Sequence, residues 1–122
     1  MSKTSKIKIA LITGSSKGIG LSIAKELDQA GIKVLINSRN QINKNLFKNF
    51  INQPEHYKFD VTSFKQTEKS LKKIKKKYKK LDYLICNAGY SSSPKDRKFD
   101  ITEWKNIFEK NFFSILNSIF LY

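Results

Sequence analysis

The sequence has one cysteine, one histidine, two prolines and five glycines in 122 residues. A lone thiol, Cys86, excludes an intramolecular disulfide framework. So few Gly and Pro exclude collagen-like and linker compositions, and 39% apolar with 28% charged residues excludes a disordered tail. No segment approaches the ~20 consecutive apolar residues of a membrane span. The first apolar run, Ile7 to Ile12, is short and broken by Lys8, which argues against a signal peptide. The expectation is a single cytoplasmic domain over residues 1–122, with no membrane partner.

Arginine is nearly absent as well. Only Arg39 and Arg97 stand beside 22 lysines, although the formal charge is +14. Such a charge invites a nucleic-acid reading, yet the side chain suited to bidentate phosphate contacts is missing. The abundance of Lys, Ile and Asn is the skew of AT-rich codons. Between Lys69 and Lys80 eight of twelve residues are Lys, but Phe64, Leu71, Ile74 and Tyr78 share one helical face. The lysines then form a solvated face, and no nucleic-acid partner is expected.

What is present is an alternation of short β-rich runs with longer periodic segments. Ile7–Thr13, Val34–Asn37, Tyr57–Asp60 and Tyr83–Cys86 read as strands. Ile19–Ala30, closed by Gly31, a weaker segment over Ile42–Ile51 ending near Pro54, and Ser63–Lys79 read as helices. Thr102 reads as the cap of a further helix through Trp104 and Asn111. This order, β-α-β-α-β-α-β-α, predicts an α/β fold: a doubly wound parallel sheet of Rossmann type, carried through about four strands. Ser91–Lys98 is the one stretch that reads as a long loop. It follows the fourth strand, on the edge where such sheets bind ligands.

The chemistry concentrates after the first strand, in Thr13-Gly14-Ser15-Ser16-Lys17-Gly18-Ile19-Gly20. A glycine-rich turn that opens into a helix is a phosphate cradle. Gly14 permits the turn, Gly18 lets backbone approach a pyrophosphate, and Gly20 lets helix pack on strand, with Ser15 and Ser16 as added hydroxyl donors. A Walker loop is excluded, because Lys17 precedes its glycine.

These residues resemble the T-G-x-x-x-G-I-G turn of the short-chain dehydrogenase/reductase family. Asp60-Val61-Thr62 is similar to the family's adenine-contacting Asp-Val pair, and Asn87-Ala88-Gly89 to its N-A-G signature. Trp104 and Asn111 also follow its pattern, in which the Asn belongs to the catalytic tetrad. The resemblance implies a nicotinamide cofactor and hydride transfer between it and a small-molecule carbonyl or secondary alcohol. No metal is implied.

Charge then selects the cofactor. NAD-binding folds place a carboxylate at the end of the second strand, whereas NADP requires a cation there. Here that corner reads Asn37-Ser38-Arg39-Asn40, with Lys17 as a second cation, which predicts NADP(H) over NAD(H). His56, without Cys or carboxylate neighbours, reads as an ordinary loop or surface imidazole, and Cys86 as a small core residue.

The resembled family also needs a Ser and a Tyr-x-x-x-Lys pair, whose cation stabilises the phenolate. The residues four after Tyr57, Tyr78, Tyr83 and Tyr90 are Val61, Asp82, Asn87 and Pro94, and Tyr122 is last. The sequence contains no such dyad. The expectation is therefore a truncated or split oxidoreductase chain whose fourth strand is a sheet edge. Its apolar stretch Phe112–Tyr122 would favour homo-oligomers or association with a missing C-terminal half. The alternatives are a non-catalytic NADP(H)-binding or regulatory module and, third, a basic nucleic-acid-interacting protein.

Overall fold

The computed structural model describes residues 7–89 together with Thr102 and Lys105. Thr102, expected as a cap, is itself helical and exposed, as is Lys105. Trp104, Asn111, the 91–98 loop and the 112–122 stretch lie outside the described residues.

Four strands form one parallel sheet: β1 (Ile9–Ile12), β2 (Lys33–Ser38), β3 (Glu55–Lys58) and β4 (Tyr83–Ile85), in spatial order β3-β2-β1-β4. Leu11 stands opposite Leu35 of β2 and Leu84 of β4, and Ile36 opposite His56 of β3. The pleat then separates two apolar layers. Ile9, Leu11 and Leu35 meet Phe59, Leu71, Ile74 and Leu81 on one face. Ala10, Ile12, Val34 and Ile36 meet Ala24 and Phe50 on the other. Helices on both faces of a parallel sheet are the doubly wound α/β architecture that the alternation predicts.

Helix α1 (Gly18–Gln29) covers the second layer and ends in a Schellman pair. Gly31 N–H donates to Asp28 O and Ile32 N–H to Leu27 O, both at 3.0 Å. Helix α2 (Phe64–Tyr78) covers the first layer, capped by Ser63 Oγ, which accepts from Gln66 N–H at 3.2 Å. Its inward stripe is Thr67, Ser70, Leu71 and Ile74. Each like-charged neighbour among its lysines costs about 0.2–0.5 kcal/mol. Each buried Leu or Ile returns about 2 kcal/mol, so the stripe decides the helix. Phe64, expected on that stripe, is 44% exposed. Thr67 takes the inward position of the first turn.

Two elements differ from the sequence expectation. Over Ile42–Ile51 only a 3-10 turn forms, Lys44–Phe47, with Asn43 Oδ1 accepting from Asn45 N–H at 2.9 Å. The Asn side chain offers the backbone a turn in place of a helix. Strand β3 begins two residues earlier than expected, so His56 lies in the strand and not before it. An edge strand accepts polar Glu55 and His56, which hid its start from a search for apolar runs.

Candidate functional site

The glycine turn joins β1 to α1 through two residues in left-handed backbone, Gly14 at φ +62° and Gly18 at φ +60°. They are glycine for different reasons. A Cβ on Gly14 would lie 2.8 Å from Ala88 Cα, whereas one on Gly18 would meet nothing within 4 Å. Gly14 packs inward, and Gly18 faces open space where a ligand backbone can approach. Gly20 closes the turn from the helix side: its Cβ would sit 2.4 Å from Gly14 O and 2.6 Å from Asn87 Nδ2. Lys17 precedes the helix in extended backbone and makes no side-chain cap bond.

Neutral side chains bind this turn to the neighbouring strands. Asn37, 1% exposed, accepts from Gly14 N–H at 2.9 Å. Its Nδ2 donates to Tyr57 O at 3.2 Å and to Phe59 O at 3.0 Å. One amide thus links the ends of β1, β2 and β3. On the other side, Thr13 Oγ1 accepts from Asn87 N–H at 2.9 Å and Ala88 N–H at 3.0 Å. Asn87 Nδ2 returns a bond to Gly14 O at 3.0 Å. The sequence placed Asn37 at the β2 corner and Thr13 in the glycine turn but assigned neither this bridging role, because their partners lie 23 and 74 residues away.

Ser15 departs from the expectation of a donor toward an anion. Its hydroxyl is fully buried, donates to Ile12 O at 2.7 Å and accepts from Asn37 N–H at 3.0 Å. Turned inward, it fixes the turn and presents nothing to a ligand. Gly20 is likewise buried, in the packing role expected of it.

The remaining expected cofactor residues converge. Gly14, Ser16, Lys17, Gly18 and Ile19 line a cleft of about 720 Å³ together with Ser38, Arg39, Asp60, Val61, Asn87, Ala88 and Gly89. The cleft runs across the carboxyl ends of the four strands. Its cations are Lys17 and Arg39, and its single carboxylate among the described residues is Asp60. Asp60 Oδ1 accepts from Thr62 N–H at 2.9 Å and Thr62 Oγ1 at 2.7 Å, an Asx turn that fixes the end of β3.

At the β2 corner Ser38 Oγ meets His56 Nε2 at 2.7 Å. The only histidine of the chain is therefore a half-buried strand residue with a partner, which corrects the loop or surface reading. Burial, with Lys58 beside it, holds its imidazole below the ordinary histidine value. Cys86, expected in the core, is half-buried just past β4, and burial pushes its thiol pKa up. A thiol held protonated is a poor nucleophile, which agrees with a packing role.

A dinucleotide fits this arrangement. Open space over Gly18 and a cleft that reaches from the glycine turn to the β2 corner leave room for a pyrophosphate and an adenosine. Among the described residues no group of three His, Cys, Asp or Glu side chains is arranged to hold a metal. No described helix is long and apolar enough to cross a membrane.

Known proteins share the pattern. An uncharacterized oxidoreductase of Schizosaccharomyces pombe is 40% identical over 116 residues, covering 92% of this chain and 45% of the relative. A probable NADP-dependent mannitol dehydrogenase of Yarrowia lipolytica is 42% identical over 88 residues, 69% of this chain and 32% of the relative. Among solved structures, ElxO with NADP bound matches at a TM-score of 0.86 and 30% identity, over 94% of this chain and 48% of that one. The chain spans less than half the length of these relatives. The family model described as short chain dehydrogenase matches residues 8–120, and the chain belongs to that family of oxidoreductases.

Proposed function

We propose that this chain supplies the NADP(H)-binding part of a cytoplasmic short-chain oxidoreductase. The reaction would transfer hydride between the nicotinamide and a small carbonyl or secondary alcohol. The observation that carries the cofactor reading is the β2 corner: Arg39 lines the cleft where an NAD-binding fold places a carboxylate, with Lys17 across it. Gly18 and its neighbours in the turn would hold the pyrophosphate, and Asp60 and Val61 would flank the adenine. Asn87, Ala88 and Gly89 would wall the other side. The bound cofactor would supply the hydride; the chain's own residues bind and orient it. The mannitol dehydrogenase relative is described as NADP-dependent, and ElxO was solved with NADP bound, which supports the choice.

Turnover needs a Ser and a Tyr-x-x-x-Lys pair that these 122 residues do not contain. Hydride transfer therefore belongs to an assembly or longer protein that supplies them, with a homo-oligomer as its natural form. Fluorescence titration with NADPH tests the cofactor reading. Saturable binding, tighter than for NADH, is expected, and no binding of either overturns the proposal. Gly18→Asp should abolish binding and lower stability only by the cost of a side chain in left-handed backbone, about 1 kcal/mol, since that side chain enters open space. Arg39→Asp should lower the NADPH:NADH affinity ratio about tenfold or more, by exchanging attraction to the 2′-phosphate for repulsion. An unmoved ratio would leave Arg39 as surface charge.

A further inference from the structure

The β2 corner holds a polar chain that phosphate binding by the glycine turn does not use. Ser38 Oγ lies 2.6 Å from Asn40 O and 2.7 Å from His56 Nε2, and Ser38 is 8% exposed. A carbonyl oxygen can only accept, so the one hydroxyl proton of Ser38 goes to Asn40. The imidazole must then donate, which fixes His56 as its Nε2–H tautomer. Ser38 keeps no proton for a ligand.

That exhausted hydroxyl gives the contact its meaning. Ser38 cannot read a phosphate as a donor, yet its bond to Asn40 O closes the turn around Arg39. Both Arg39 and Asn40 line the cleft. His56 is in turn fixed by the sheet. It pairs with Ile36 while Ser38 pairs with Lys58, which makes His56 and Ser38 diagonal neighbours on adjacent strands. An ordered path therefore runs from the β3 edge through imidazole, hydroxyl and carbonyl to the backbone that carries the guanidinium.

We infer that His56 is a positioning residue for recognition of the cofactor's 2′-phosphate: it orients Ser38, and Ser38 shapes the turn that presents Arg39 to the cleft. This rests on the NADP(H) reading above. NADH, which has no 2′-phosphate, should be indifferent to it. The role is one of selectivity, separate from the general hold on the dinucleotide.

The test titrates NADPH and NADH into the full chain and into His56→Gln, His56→Asn, Ser38→Ala and the Asn/Ala double variant. A Gln amide nitrogen reaches the Nε2 position, whereas an Asn amide reaches only as far as Nδ1. His56→Asn should weaken NADPH about fivefold, the equivalent of one net hydrogen bond, and leave NADH within about twofold. His56→Gln should restore NADPH affinity, and the double variant should be no worse than Ser38→Ala alone. Equal loss of both cofactors, or NADPH affinity unchanged in His56→Asn, overturns the inference while leaving the cofactor reading intact. A wild-type chain that binds neither dinucleotide removes both. Should His56→Asn melt below the titration temperature, Ser38→Ala decides: loss of NADPH preference is expected, and its retention refutes the path.

Discussion

The two ends of the same four strands are tied together by different chemistry. At the carboxyl ends the ties between strands are neutral: Asn37 joins β1, β2 and β3, and Thr13 with Asn87 joins β1 to β4, while the carboxylate of Asp60 bonds within its own turn. At the amino ends they are carboxylates. Asp82 accepts from Ile9 N–H at 2.7 Å, with Lys80 at 3.1 Å. Asp28, 1% exposed, accepts from Ile51 N–H at 2.6 Å and Asn52 N–H at 2.8 Å. A carboxylate makes the stronger bond to a backbone N–H, but beside the cleft it would repel a pyrophosphate and titrate with pH. The difference teaches that the bonds joining strands at the ligand end give up strength for neutrality, and those at the far end do not.

Placing a charge in the neutral end breaks this contrast most severely. Asn37→Asp would turn a buried carboxylate toward Tyr57 O and Phe59 O, with a loss of about 3 kcal/mol or more at neutral pH. The burial and the facing carbonyls would raise that carboxyl's folded pKa above its unfolded value. Its share of stability should therefore be present at low pH and lost as pH rises, so the variant should melt higher at pH 5 than at pH 7. A wild-type melting temperature at pH 7 would show that the neutrality of this position has no role.

The converse exchange at the far end should have a smaller effect. The Ile9 N–H bond, then the Lys80 ammonium, hold Asp82 below the ordinary aspartate value of 3.8. A depressed folded pKa means its stabilisation is complete above the unfolded value and lost as pH falls through the folded one. Asp82→Asn keeps an acceptor but not the charge, and should cost about 1 kcal/mol at pH 7. In urea melts the gap from wild type should close below pH 4. A gap independent of pH would assign the effect to packing.

The smallest change relieves strain at that same far end. Lys79 ends α2 in left-handed backbone at φ +66°, a conformation unfavourable for a side chain, while its N–H donates to Lys75 O at 2.9 Å. Lys79→Gly should stabilise the fold by about 1 kcal/mol with cofactor affinity unchanged. A lowered melting temperature would show that the lysine side chain does more than cap.

The two ends also differ in how far they could be read from sequence. The strands were legible where both faces are covered, since Ile9–Ile12 and Val34–Ile36 must be apolar throughout. Gly14, Gly18 and Gly20 announced the turn, because left-handed backbone at Gly14 and Gly18 favours glycine and a Cβ on Gly14 or Gly20 would clash. What stayed hidden was polar and long-range. Asn37 and Ser15 bond across 22 or more residues, and no local pattern encodes that pairing. His56 was hidden by the edge position of β3, where polar residues are tolerated and period-2 patterning is weak. The segment after Ile42 misled for a related reason. Its apolar spacing is helical, but Asn43 and Asn45 prefer a local turn.

The parallel pairing of β1 with both β2 and β4 also sets unequal chain-entropy costs on its two sides. The contact between Ser15 and Asn37 closes a separation of 22 residues, whereas Thr13 and Asn87 close one of 74. Loop-closure entropy disfavours the longer closure by about 1 kcal/mol, so the pairing with β4 is held at the greater chain-entropy cost. The wall built by Asn87 and Ala88 is therefore the part of the cleft whose closure costs the chain most. A dinucleotide bound across the cleft would act as a clasp on that costlier closure, returning part of its entropy as binding energy shared between β1 and β4.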